Sequence, residues 1–117
     1  MTAIRYQAIF HLNEDDDEKV KTTLSNIENL IDDLGRINVE VILVVNGKGV
    51  KVFEKGSNIS QRVEKLRKLG VTFKICANSL ASRGMVKEDL LDQVDIVGSG
   101  IGEIVRKQVD GWAYVKP

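Results

Sequence analysis

Residues 39–45, Val39-Glu40-Val41-Ile42-Leu43-Val44-Val45, are apolar at every position except Glu40, and most of them are β-branched. A strand with one wet face alternates apolar and polar side chains. A nearly unbroken run of this kind is covered on both faces, as interior strands of parallel sheets are. Parallel neighbours cannot be joined by a tight turn and need crossover segments, usually helices. The flanking sequence supplies them. Val20, Leu24, Ile27, Ile31 and Leu34 recur at steps of three and four and make one apolar stripe, which Gly35 ends. Ile59, Val63, Leu66 and Leu69 make a second, stopped by Gly70.

The same alternation extends over the rest of the chain. The pattern predicts strands at residues 4–10, 39–45, 71–76, 94–97 and 112–115. Asn13-Glu14-Asp15-Asp16-Asp17 suits a helix start, where negative charge is favoured. Asn46-Gly47-Lys48-Gly49-Val50 reads as a loop with a short helix in preference to a hairpin. Residues 77–83 form a short helix closed by Gly84, and residues 88–91 a further turn. Gly98-Ser99-Gly100 opens a helix running through Val109, predicted to turn Ile101, Ile104 and Val105 inward. Strands alternating with helices give an α/β fold, with a parallel or mostly parallel sheet and helices on both faces.

A length of 117 residues suits one domain, and 43% hydrophobic residues suffice for its core. Lys plus Arg and Asp plus Glu both number 17. Zero net charge argues against phosphate-neutralising contact with nucleic acid and removes one barrier to self-association. No apolar run approaches the roughly 20 residues that span a bilayer. Met1-Thr2-Ala3-Ile4-Arg5-Tyr6 lacks the pattern of a secretory leader, so the expected compartment is the cytoplasm. One cysteine cannot make an internal disulfide, and Cys76 with His11 cannot complete a structural zinc site. No metal or cofactor is implied.

Open α/β sheets bind ligands beyond the carboxyl ends of their strands. That rule gathers His11 from the first strand, Asn46, Gly47 and Gly49 from the second, Cys76, Asn78 and Ser79 from the third, and Gly98, Ser99 and Gly100 from the fourth. Cys76 has the strongest chemical case. It closes a strand just before a helix start, whose N–H groups favour a thiolate, the form that attacks or accepts sulfur. The plain alternative is a buried cysteine that packs as a small apolar side chain. Gly98-Ser99-Gly100 can cradle an anion, or Ser99 can simply cap its helix. Asn46-Gly47-Lys48-Gly49 is open in the same way, and its glycines can simply supply turn conformations. His11 is a candidate base near Cys76, provided it lies within hydrogen-bond reach. Trp112 and Tyr114, at alternate positions of the last strand, read as core or edge packing.

Gly70-Val71-Thr72-Phe73-Lys74-Ile75-Cys76-Ala77-Asn78-Ser79-Leu80 resembles the DsrE/DsrF-like family, in particular its small stand-alone members. The resemblance extends across residues 1–117 as a single domain, through Asn26-Ile27-Glu28-Asn29-Leu30, the strand into Asn46-Gly47-Lys48-Gly49-Val50, and Gln108-Val109-Asp110-Gly111-Trp112-Ala113-Tyr114-Val115. It implies a three-layer α/β/α fold around a five-stranded, mostly parallel sheet, and assembly into trimers or hexamers. It also implies a sulfur-relay role, with Cys76 at the position of the relay cysteine that carries sulfane sulfur as a persulfide, and with protein donors and acceptors of that sulfur. Many members have His-Gly after the second strand where this chain has Asn46-Gly47, and an amide cannot act as a base. Two functions follow: a persulfide carrier or sulfurtransferase, and a non-catalytic module of the same fold that binds a small ligand or drives assembly.

Overall fold

The computed structural model describes residues 5–117. Five strands form one sheet: β1 (Tyr6–Leu12), β2 (Val39–Val45), β3 (Thr72–Cys76), β4 (Asp95–Val97) and β5 (Ala113–Val115). Their order across the sheet is β4-β3-β2-β1-β5, and every pairing is parallel. The first strand runs to Leu12, two residues beyond the predicted end, and Ile4 lies outside the described residues.

Four α-helices join the strands: α1 (Asp17–Leu34), α2 (Ser60–Lys68), α3 (Ala77–Ser82) and α4 (Gly100–Val109). Asp16 starts α1 by accepting the Lys19 N–H at 2.9 Å, which satisfies a donor the helix itself cannot pair. At the other end Gly35 takes φ +93° and returns its N–H to Ile31 at 2.9 Å. The Asn46-Gly47 segment is no hairpin: residues Gly47–Phe53 form 3-10 turns on the way to α2.

The chain steps from β1 to β4 in one direction, then returns to set β5 against the free side of β1. Crossovers between parallel strands are right-handed, so reversing direction moves the connecting helix to the opposite face. The packing follows. On one face, α1 and α2 bury Val20, Leu24, Ile27, Val63 and Leu66 against Phe10, Leu43, Phe73 and Ile75 in the main core. On the other face α4 stands over a small cluster of Ile9, Ile42, Val44, Ile104 and Trp112.

The inward side of α4 differs from the apolar spacing. Ile104 is buried, but Ile101 and Val105 are 53% and 54% exposed. Gly100, Glu103 and Ile104 face the sheet instead. Gly100 lies so close that a Cβ there would meet Val44 Cγ1 at 3.1 Å. The Glu103 carboxylate binds Lys74 of β3 at 2.6 Å and Arg106 at 3.0 Å. A glycine contact and a buried ion pair set the rotation of this helix, and neither registers in a hydrophobic pattern. No helix of the described residues is long and apolar enough to cross a membrane.

Candidate functional site

Side chains alternate across a strand. Phe73 and Ile75 enter the main core, so Cys76 points to the α4 face at the carboxyl edge of the sheet. It is 5% exposed. Two chain segments close on it. α3 begins at the next residue, and α4 begins at Gly100, where an added Cβ would lie 3.3 Å from both Cys76 Cβ and Asn46 Cβ. A side chain at position 100 would crowd both, so glycine suits this close descent of the first turn of α4.

Polar groups of two helix starts lie around the sulfur. Burial, the largest influence, raises the thiol pKa. The Ser79 hydroxyl and the N–H groups of Gly100, Ser79 and Asn78 favour the thiolate, outweigh burial and leave the pKa below the ordinary thiol value, although the neutral thiol makes no capping hydrogen bond to α3. Donors aimed at the charged form favour that form. The Ser79 hydroxyl is itself oriented. Its oxygen accepts the Gly47 N–H at 2.8 Å, which leaves its proton for the sulfur. Gly47, at φ +56°, is held from its other side by Arg83, whose Nε donates to the Gly47 carbonyl at 3.0 Å.

A second set of polar groups runs sideways along the same edge. His11 is 6% exposed, and both ring nitrogens are engaged. Nε2 lies 2.8 Å from Asn46 Oδ1, and Nδ1 lies 2.7 Å from the Tyr114 hydroxyl. An amide oxygen only accepts, so Nε2 carries the proton and Nδ1 accepts from tyrosine. Burial lowers the His11 pKa; the Asn46 contact opposes this, and the nearby Lys116 charge adds to it, leaving the pKa below the usual value. The ring is therefore neutral at pH 7. His11 does not face the sulfur directly, because Asn46 stands between them.

The other residues of the rim take supporting places. Gly49 fits under the end of β1, where a Cβ would lie 3.0 Å from the Leu12 carbonyl oxygen. Asn78 is exposed and contributes its backbone N–H. Ser99 caps α4, its Oγ accepting the Gly102 N–H at 2.9 Å. Gly98 is exposed, with nothing within 4 Å of where a Cβ would be. Arg83 carries no sequence signal of this kind, and Tyr114, expected to pack, instead bonds His11. The signal for Tyr114 is the register that pairs it with Ile9, two residues before His11 on the same face.

A cleft of about 540 Å³ lies elsewhere, lined by Glu64, Arg67, Thr72, Asp92, Gln93 and Asp95. Thr72 and Asp95 begin their strands, so this cleft is at the opposite edge of the sheet from Cys76. This cleft contains no cysteine.

Comparison with known proteins gives a consistent picture. The model of the DsrE/DsrF-like family matches residues 7–117. No curated protein matches. Among solved structures, the protein of unknown function MTH1491 from Methanobacterium thermoautotrophicum is 43% identical, with a TM-score of 0.92 over 96% of this chain and 99% of that one. The ychN protein from E. coli superposes with a TM-score of 0.78 at 19% identity, over 97% of this chain and 99% of its own. BT1422 from Bacteroides thetaiotaomicron, a conserved protein of unknown function, gives 0.76 at 13% identity, over 95% and 94% of the two chains. The last two likenesses concern the fold.

Proposed function

For a chain that belongs to the DsrE/DsrF-like family, we propose a sulfur-relay role in which Cys76 carries sulfane sulfur as a persulfide. The observation that carries this reading is the place of Cys76 between two helix starts, with α3 beginning at Ala77 and the first turn of α4 set so close that a Cβ on Gly100 would lie 3.3 Å from Cys76 Cβ, surroundings that hold the thiol pKa below its ordinary value. The thiolate attacks the terminal sulfur of a donor persulfide. A new S–S bond forms at Cys76, the donor's S–S bond breaks, and the donor departs as a thiolate that takes up a proton from solvent. Transfer onward reverses these events on an acceptor thiolate, which makes the activity that of a sulfurtransferase with protein donors and acceptors.

The reading includes self-association. Ile101, Val105 and Val109 form an outward apolar stripe on α4, 53%, 54% and 81% exposed, beside a rim that includes the 38% exposed Tyr114. A homo-oligomer, a trimer or hexamer, would cover this stripe. A reducing compartment, the cytoplasm, suits an unpaired catalytic thiol.

The test is mass spectrometry after incubation with a small persulfide donor. The expected product is one added sulfur atom on Cys76, removed by reductant and absent from Cys76→Ser. The 5% exposure of Cys76 favours a second reading, a non-catalytic ligand-binding or assembly module. No adduct, with slow alkylation at neutral pH, would select it.

A further inference from the structure

The carboxyl edge holds a row of polar side chains that crosses four adjacent strands. In spatial order they are Cys76 at the end of β3, Asn46 just after β2, His11 in β1 and Tyr114 in β5. All lie on the α4 face. The side chains of Tyr114, His11 and Asn46 are joined by bonds of 2.7 and 2.8 Å. A 6% exposed histidine with both nitrogens satisfied is a rigid link.

The direction of the chain gives Asn46 its role. His11 occupies Oδ1, so the other end of the amide, Nδ2 with two N–H donors, is the end left over. The Asn46 Cβ and the Cys76 Cβ both lie 3.3 Å from the position a Gly100 Cβ would take, so the two side chains are packed around one point. Ser79, Gly100 and Asn78 are the groups that favour the thiolate on Sγ itself. A sulfur added to Cys76 Sγ moves the negative charge one atom outward, away from those groups, and needs a donor there.

On the persulfide reading of Cys76, we infer that Asn46 is a positioning residue for the outer sulfur, its amide N–H₂ held in place by the Tyr114–His11 chain. An amide keeps its donors at every pH, unlike a histidine, so the grip on the outer sulfur does not titrate. Without the clamp the amide rotates freely and presents its oxygen, which repels an anion, as readily as its nitrogen.

The experiment loads wild type, Asn46→Ala and Tyr114→Phe with cysteine persulfide. It compares the lifetime of the adduct toward a small thiol with the pH midpoint of the unloaded thiol. Asn46→Ala is expected to shorten the adduct lifetime about tenfold, the worth of one hydrogen bond to a charged acceptor. The unloaded midpoint should stay near that of wild type. Tyr114→Phe removes one hydroxyl at a half-exposed position, leaves the packing intact, and should shorten the lifetime by a smaller factor. Equal lifetimes in all three loaded proteins overturn the inference and leave the carrier role standing. Lifetime and midpoint shifting together in Asn46→Ala also overturn it, since that marks a structural effect on the whole edge. A wild type that takes up no sulfur removes the carrier reading and this inference with it.

Discussion

A thiol that is nearly sealed from water ordinarily resists ionisation, because burial disfavours the charged form. Around Cys76 the oriented Ser79 hydroxyl and the N–H groups of Gly100, Ser79 and Asn78 outweigh that penalty and lower the thiol pKa. The hydroxyl is the part a substitution can remove cleanly. Ser79→Ala is expected to move the thiolate titration, followed by ultraviolet absorbance of the sole cysteine, to higher pH. An unchanged midpoint would mean that the backbone donors suffice. His11 has the opposite environment, and its pKa is lowered by burial from the usual 6.5. Below that pH the unfolded chain takes up a proton that the native ring refuses. Stability therefore falls as pH drops below 6.5, until the native ring itself protonates. Urea midpoints measured from neutral pH down to about 5 should show this slope, and His11→Gln should flatten it. At this scale the sequence was informative about identity and silent about direction. Cys76 and Ser79 are legible as a strand-end cysteine and a helix-start hydroxyl. That His11 turns to Asn46 and Tyr114 depends on strand order, which no local pattern encodes.

The α4 helix shows where reading by element runs short. Its start, with Ser99 as cap, follows from residue type. Its rotation does not, because the residues that seat it are a glycine and an acid. Glu103 is 5% exposed, and its carboxylate bridges Lys74 and Arg106. Burial raises the Glu103 pKa, and the Lys74 and Arg106 hydrogen bonds outweigh it, so the group stays ionised. Lys74→Ala strands part of that charge. Since Arg106 remains on the other oxygen, the expected loss is about 1–3 kcal/mol in denaturant unfolding, below the full cost of breaking a buried pair. Replacing both partners together, Lys74→Met with Glu103→Leu, should cost less than Lys74→Ala alone. If the double variant is the less stable, the pair is a net stabiliser in its own right. The helices of the other face, α1 and α2, were far more legible, since regular apolar stripes dictate which side they bury.

Over the whole molecule the two faces of the sheet are unequally dressed. The face under α1 and α2 contributes the main core, while on the other α4, through Ile104, covers a small apolar cluster of Ile9, Ile42, Val44 and Trp112. The parallel arrangement was readable from the β-branched run at 39–45, since only a strand buried on both sides is written that way. The strand order was not, because the same alternation of elements is compatible with several orders. An apolar stripe of Ile101, Val105 and Val109 on a chain of zero net charge predicts association. Sedimentation should find an assembly larger than one chain, and Val105→Asp with Val109→Asp should shift it toward monomer without loss of helical signal. A monomeric wild type would refute the proposal.

Because β5 is laid beside β1 while β3 lies two strands away on the other side, the polar row at the carboxyl edge is a product of the finished sheet. Residues separated by more than sixty positions in the chain, Cys76 and His11 among them, become neighbours-but-one only when the central strands have paired. A chain interrupted before residue 113 would still contain the cysteine but not the tyrosine that anchors His11. The Tyr114–His11 end of the edge thus requires the final strand, whereas Asn78 and Ser79 stand beside Cys76 in the chain itself.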